Sequence, residues 1–333
     1  MVPGKKLTLG VILPHTKIFG GVKRFFEIGN ILVGKGHRFV VFTPEGKPPD
    51  WFPFHGQVAA LAQLPDHSFD AFFITEPEYL DHLNNAKTTL RIFYAVLQRR
   101  YIKTVAARDD LIVFANSGSL YEYLGGVRKA NVVKFIGGID AGKFQFQERL
   151  SKKPGEPLLV LVYGRFYRRK KGTSLVVKAC ESLYKSGYNL KLLLFDAPVD
   201  ALARKRVENF KCDLPFEFIV DYPVDHLADL YHRADLFVSA ERNAGWSNTS
   251  AEAMACGVPV VATRSGTEDF LSHGETGLVV WRHPWFIRRA IRKLYDDEKL
   301  RRALAVQARK TIEGFSWKSL AAGIEEFILT RSS

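Results

Sequence analysis

Short apolar runs and one-sided helical patterns take turns along this chain. Leu7-Thr-Leu-Gly-Val-Ile-Leu13 is the first run, of a length that suits a buried strand. Residues 14–21 carry turn formers and end in Gly20-Gly21. Val22, Phe25, Phe26, Ile28, Ile31 and Leu32 follow at helical spacing, mostly on one face. Gly34 and Gly36 end that pattern, and Phe39-Val-Val-Phe42 is the next apolar run. Strand, glycine loop, helix and strand in that order make a βαβ unit. Further strands are predicted at 69–75, 111–115 and 131–136, with helical segments around 79–86, 99–108 and 119–124. Residues 141–157 hold Lys152-Lys-Pro-Gly-Glu-Pro157, the composition of a linker.

The alternation restarts with the apolar run Leu158-Leu-Val-Leu-Val-Tyr163. A basic loop, Gly164-Arg-Phe-Tyr-Arg-Arg-Lys-Lys-Gly172, comes next, then a helix through Leu175, Val176, Ala179 and Leu183. Strands are predicted at 190–195, 217–220 and 236–238, and a short helix at 226–232. The stretch 239–262 has the clearest local grammar: a loop of Asn, Gly and Ser over 241–247, a short helix, a turn and a strand at 258–261. Thr249 with Glu252 fits a capping box, Gly257 stops the helix and Pro259 follows. A loop that opens a helix at the carboxyl end of a parallel strand turns backbone N–H groups outward, which makes an anion site. We read it as a seat for the diphosphate of a nucleotide-linked substrate. Gly20-Gly21 can also bring backbone close to a phosphate, the alternative being a plain tight turn. Basic amphipathic helices are predicted at 287–294 and 300–312, and Phe315-Ser-Trp317 opens a last one.

Length and charge narrow the classes. A chain of 333 residues with 47% apolar content is expected to form two domains. Its cysteines, at 180, 212 and 256, have neither metal-ligand nor redox spacing, and reduced thiols in a cytoplasm are expected. No apolar run reaches the roughly 18 residues a transmembrane helix needs. Met1-Val-Pro-Gly-Lys-Lys leads straight into the first strand, and no signal peptide is expected. A net charge of +13 predicts anionic partners: a nucleotide diphosphate, a membrane surface or nucleic acid. No nucleic-acid module is recognisable, so nucleic acid is not expected. The first strand is not followed by Gly-x-Gly-x-x-Gly, which argues against a dinucleotide oxidoreductase. The second half has neither an Asp-x-Asp pair nor a His/Cys cluster. No metal and no cofactor are expected, with fixed cations in the metal's place.

Glu252-Ala-Met-Ala-Cys-Gly257 and Pro259-Val-Val261 resemble the donor-binding segment of retaining glycosyltransferases of family four. That family has the GT-B fold, two Rossmann-like parallel-sheet α/β domains facing each other across a cleft. Gly20-Gly-Val-Lys-Arg24, Lys35-Gly-His37, Gly138-Ile-Asp140 with Phe144, the Gly164–Gly172 loop and Gly274-Glu-Thr-Gly277 join the resemblance. It implies an acceptor-side domain over 1–150, a nucleotide-sugar donor domain over 157–312, and a terminal helix over 315–331 that crosses back to the first. It also implies that Arg165 and Lys171 hold the diphosphate, bidentately and as a compact charge respectively. The spacing is one residue longer than the commonest form, so Lys170 competes with Lys171. Gly20 and Gly21 would face the donor phosphates, joined by the N–H groups of Asn248 and Thr249. Glu252 would accept the ribose hydroxyls, capping being its other reading. Gly245 and Trp246 would line the sugar pocket, or Trp246 would anchor the loop; Asn248 would bind a sugar hydroxyl or cap the helix.

The chain also departs from the family pattern. The family's other glutamate lies eight positions before Glu252, where this chain has Ala244. Glu241, Asn243 or backbone amides are expected to take the sugar hydroxyls instead. A family histidine, in the loop near 91–98, is replaced by Phe93-Tyr94-Ala95, with His15 and His82 either as substitutes or as ordinary polar histidines. After the strand at 190–195 a Gly-x-Gly turn gives way to Asp196-Ala-Pro198, and the nucleotide base is not legible. The expected activity is metal-independent retaining transfer from a nucleotide-diphosphate sugar to a glycan, lipid-linked or small-molecule acceptor. A cytoplasmic place is expected, and the basic helices with Arg99-Arg-Tyr-Ile-Lys103 have two readings: a solvated face, or peripheral contact of the first domain with an anionic inner membrane face. The rivals are a non-catalytic nucleotide-sugar or glycan-binding relative, and a GT-B-fold epimerase or phosphorylase.

Overall fold

Two parallel sheets organise the chain. The computed structural model describes residues 5–125, 131–148 and 151–332. The start of the chain up to residue 4 and positions 149–150 of the expected linker lie outside the described residues. The first sheet consists of β1 (Thr8–Ile12), β2 (Arg38–Thr43), β3 (Gln57–Ala60), β4 (Ser68–Ile74), β5 (Lys87–Ala95), β6 (Ile112–Ala115) and β7 (Val132–Lys134). Its spatial order is β3-β2-β1-β4-β5-β6-β7. The second consists of β8 (Leu158–Tyr163), β9 (Leu190–Asp196), β10 (Phe216–Val220), β11 (Leu236–Ser239), β12 (Val260–Ala262) and β13 (Leu278–Val279), in the order β10-β9-β8-β11-β12-β13. Every paired neighbour is parallel. The helices are α1 (Gly20–Gly34), α2 (Leu80–Asn85), α3 (Tyr101–Ala106), α4 (Gly118–Gly125), α5 (Thr173–Lys185), α6 (Ala201–Glu208), α7 (Leu227–His232), α8 (Asn248–Ala255), α9 (Pro284–Asp296), α10 (Glu298–Ile312) and α11 (Trp317–Arg331).

The chain divides into two compact units. One comprises Met1–Gly138 with Phe315–Ser333, the other Ile139–Gly314. In the first unit, successive strand residues point to opposite faces, as the pleat requires. Val11 and Val41 pack with Phe25, Phe26 and Leu32 of α1, while Ile12 and Phe42 pack on the other face with Ile102 of α3 and Leu120 of α4. Helix α11 belongs to this unit and buries Trp317, Leu320, Ala321, Ile324 and Ile328 in the same cluster as α1. In the second unit, Val160, Val162, Leu192 and Val238 carry a core against Val176 and Leu183 of α5 and Ile287 and Ile291 of α9.

Three local expectations are corrected. Residues 91–98, read as a loop, begin inside β5, whose last four residues Ile92, Phe93, Tyr94 and Ala95 are buried. Gly20-Gly21 is the first turn of α1 rather than the end of a loop; Phe19 is the N-cap and offers no side-chain cap. Helix α8 starts at Asn248 with Ser247 as N-cap, so Thr249 and Glu252 do not form a capping box. Ser247 and Ser250, at the N-cap and third helical positions, bring their hydroxyls within 2.9 Å of each other instead.

Candidate functional site

The second sheet fixes where a ligand site can form. From β8 the chain goes outward to β9 and β10 on one side, then returns to β11, β12 and β13 on the other. The reversal lies between β8 and β11, which are hydrogen-bonded neighbours. Loops leaving the carboxyl ends of two such strands diverge and leave a crevice, the usual ligand position in an open α/β sheet. The loop after β8 carries Arg165 and Lys171, and the loop after β11 carries Glu241, Asn243, Ala244, Gly245 and Trp246.

The two loops are held against each other. Gly172 has φ +70, and a Cβ there would come within 2.1 Å of the Ala240 carbonyl oxygen. Only glycine allows both that backbone conformation and that approach. The Arg242 amide donates to the Lys170 carbonyl at 2.9 Å. Arg282 reaches across both loops, donating from Nε to the Ala240 carbonyl at 2.8 Å and from a guanidinium nitrogen to the Arg169 carbonyl at 2.5 Å. Burial lowers the Arg282 pKa, and the neighbouring charges of Arg242 and Arg169 lower it further.

Arg165 and Lys171 sit on one tyrosine. The Arg165 guanidinium lies 5.1 Å and the Lys171 ammonium 5.4 Å from the Tyr163 ring centroid. Burial pushes the Tyr163 hydroxyl far above its ordinary value, so it stays neutral. Arg165 is buried and donates from Nε to Asp196 at 3.0 Å and to the Ala197 carbonyl at 2.9 Å. Tyr167 donates to the other Asp196 oxygen at 2.7 Å. Burial, then that hydrogen bond, raises the Tyr167 hydroxyl to about 12. Lys171 is ion-paired with the Glu241 carboxylate. Lys170 points its side chain to solvent, so of the two competing lysines it is Lys171 that joins the cluster.

The remaining expected residues fall as follows. Trp246 is buried, its ring 4.6 Å from Phe270, which is the geometry of a loop anchor. Gly245 is buried beside it, and Asn243 is exposed with φ +58, a left-handed conformation that asparagine tolerates better than most residues. Asn248 and Thr249 are partly exposed in the first turn of α8. Glu252 is buried and accepts a 2.9 Å hydrogen bond from Tyr231. Burial and the Glu252 charge both push the Tyr231 hydroxyl well up. Gly20 and Gly21 lie in the first unit. There, burial lowers the His15 pKa, and His15 packs 4.9 Å from Phe19, while His82 is exposed.

Sequence reasoning missed two participants. Asp196, the partner of Arg165, stands where the expected Gly-x-Gly turn would begin, and only the pairing of β8 with β9 brings the two together. Glu268, in the loop after β12, is solvent-accessible, yet desolvation raises its carboxyl above the ordinary range. Backbone hydrogen bonds from 266–268 oppose that shift in part. The Glu268 loop packs on the Ala244 loop: Ala244 donates its amide to Ser265 Oγ at 2.8 Å, and Ser247 donates to the Gly266 carbonyl at 2.8 Å. Among the described residues, no three His, Cys, Asp or Glu side chains cluster as metal ligands, and no helix is long and apolar enough to cross a membrane.

Two parallel-sheet α/β domains, with paired cations at the switch point of the second, have the architecture of the GT-B fold. The chain belongs to the family of glycosyl transferases group 1, whose model matches residues 143–311. It is 27% identical over 243 residues to the capsular polysaccharide biosynthesis glycosyltransferase CapM of Staphylococcus aureus, covering 66% of this chain and 62% of that protein. It is 28% identical over 242 residues to a D-inositol 3-phosphate glycosyltransferase of Corynebacterium kroppenstedtii, covering 68% of this chain and 52% of that protein. The chain therefore spans between about half and three-fifths of these curated relatives. Among solved structures, Anabaena Alr3699/HepE in complex with UDP and glucose superposes with a TM-score of 0.78 at 14% identity, over 97% of this chain and 100% of that one.

Proposed function

We propose that this chain transfers a sugar from a nucleoside diphosphate sugar to a hydroxyl-bearing glycan, lipid-linked or small-molecule acceptor. The observation that carries the reading is the placement of Arg165 and Lys171 on Tyr163, after β8 and beside the reversal of strand order. Transfer breaks the bond between the anomeric carbon and the diphosphate oxygen, whose electron pair leaves with the diphosphate. The acceptor oxygen bonds to the same carbon and loses its proton to a diphosphate oxygen. Negative charge grows on the leaving group, and prepositioned cations and amides stabilise it without reorganising at the moment of reaction. Lys171 would exchange Glu241 for the diphosphate. Arg165 would act from a fixed position set by Asp196 and Ala197.

Retention of anomeric configuration, independence of a metal and a cytoplasmic place are parts of the proposal that rest on family resemblance and on the residue inventory. The HepE complex holds UDP, which makes uridine the first base to try. The test is a thermal-shift screen of UDP-, GDP-, ADP- and dTDP-sugars, followed by an assay of nucleoside diphosphate release with and without acceptor. A nucleotide sugar that raises the melting temperature and is turned over supports the reading; no shift and no release with any donor removes it. Binding with no release under any condition favours the second reading, a non-catalytic relative, for which Ala244 in the place of a family glutamate is the specific observation.

A further inference from the structure

The start of α9 leaves three large aromatic side chains in solvent. Trp281 is 76% exposed, Trp285 51% and Phe286 38%. The helix already buries Ile287, Ala290, Ile291 and Leu294 on its inner side, so these rings are not needed for its packing. Trp285 and Phe286 meet edge to face with centroids 4.8 Å apart, and the Arg289 guanidinium lies 5.7 Å from the Trp285 ring centroid. Trp281 and Phe286 line an open groove of about 680 Å³ together with Arg289, Arg292 and Lys293. Trp285, Arg289 and Arg292 stand at helical positions i, i+4 and i+7, on the side opposite the buried stripe. Among the described residues none of Arg289, Arg292 and Lys293 forms an ion pair, although Asp296 and Asp297 also line the far end of the groove.

Exposed tryptophan and phenylalanine rings interleaved with cations that lack counter-ions match a surface that is apolar below and anionic above. Aromatic rings favour the headgroup level of a bilayer, and long basic side chains keep their stems on apolar material while their charges meet anionic headgroups. A protein partner would also use Trp and Arg, but it would have to supply several carboxylates at once. An anionic bilayer supplies that charge everywhere, and the chain's net charge of +13 adds long-range attraction. We infer that this face of the second unit docks on an anionic lipid bilayer, with Trp281, Trp285 and Phe286 in the headgroup region and Arg289, Arg292 and Lys293 on the headgroup phosphates. This goes beyond the donor reading and stands without it. It also sits next to that site, since Arg282, which follows Trp281, holds the Ala240 and Arg169 carbonyls.

The experiment is co-sedimentation of the full chain with vesicles of phosphatidylcholine alone and of phosphatidylcholine with phosphatidylglycerol, at low and high salt, with tryptophan emission recorded. Binding is expected only to the vesicles containing phosphatidylglycerol, weaker in salt, with emission moved to the blue. The variant W281S/W285S should bind about tenfold more weakly or worse while melting at the parent's temperature, because both side chains are exposed. The variant R289Q/R292Q/K293Q, which touches no buried residue, should lose about fivefold per charge removed, since each basic residue near such a surface contributes about 1 kcal/mol. The inference is overturned if all protein stays in the supernatant with the anionic vesicles at low salt. It is also overturned if both variants bind like the parent. Vesicle binding absent, together with a parent dimer that W281S/W285S dissolves, would assign the face to a second copy of the chain.

Discussion

Lys171 meets Glu241 before it meets any ligand. If the ammonium serves the diphosphate, Lys171→Met lowers kcat/KM for the nucleotide sugar by about a hundredfold, the usual loss for one donor at a developing oxyanion. Glu241 separates two roles. As a standby counter-ion, its change to Gln leaves Lys171 free and lowers the donor KM; as a contact to sugar hydroxyls, the same change raises KM. Steady-state kinetics on Glu241→Gln with saturating acceptor decides between them. Gly172 gives a prediction about stability. Alanine at φ +70 costs about 1–3 kcal/mol in backbone strain, and its Cβ collides with the Ala240 carbonyl oxygen. Gly172→Ala should melt several degrees below the parent, and donor binding should weaken with it because the two loops are pushed apart. An unchanged melting temperature would show that the loops accommodate the methyl.

At the scale of elements, α11 shows how a distant segment is tied into a domain. Glu325 bonds Lys35 and, from the other oxygen, the His37 ring at 2.8 Å. His37 Nδ1 accepts the Leu7 amide at 3.0 Å, so the ring proton resides on Nε2 and donates to Glu325. Burial alone would raise the Glu325 pKa, but Lys35 and His37 outweigh it and the net shift is downward. A carboxyl with a depressed folded-state pKa contributes stability above its unfolded value, about 4.3, and loses it as pH falls through the folded value. Urea midpoints measured from pH 6 down to 3 should fall less steeply for Glu325→Gln than for the parent, and the two curves should converge at the acid end. The same scale explains what the sequence makes legible. The buried strands β1, β2, β4, β8, β9 and β11 appear as apolar runs because helices cover both faces of a parallel sheet. Strand β5 begins Lys87-Thr-Thr, and β3 is a four-residue edge strand; neither has the composition of a core strand. Helix α6 offers no broad apolar stripe and buries only Ala203 and Val207. The start of α8 is misread because Ser247 and Thr249 are equally good caps in sequence, and the loop bond from Ser247 to Gly266 selects the former. Within the site, the cationic loop at 164–172 is readable locally. The Arg165–Asp196 and Lys171–Glu241 pairs, 31 and 70 residues apart, exist only through strand adjacency.

At the scale of the whole molecule, the two units differ in how the chain builds them. The second is one continuous segment, Ile139–Gly314, with a core cluster that runs from Leu158 to Leu304. The first needs both ends of the chain, because Trp317, Leu320, Ala321, Ile324 and Ile328 complete the cluster around Phe25, Phe26 and Phe114. Buried Arg24 sits at that junction. Its guanidinium donates to Tyr94 at 3.0 Å and lies 5.7 Å from the Trp317 ring centroid. Burying one large apolar side chain contributes about 1.5–3 kcal/mol, so losing α11 removes an amount comparable with the whole stability of a domain, about 5–15 kcal/mol. A fragment of residues 139–314 should therefore fold alone and melt cooperatively. A fragment of residues 1–138 should be insoluble or lack a near-ultraviolet circular dichroism signal. Supplying residues 315–333 in trans as a peptide should restore that signal and quench exposed-surface dye binding. If residues 1–138 alone melt as sharply as the same fragment with the peptide, α11 contributes no packing energy to the first unit and the shared core is wrong.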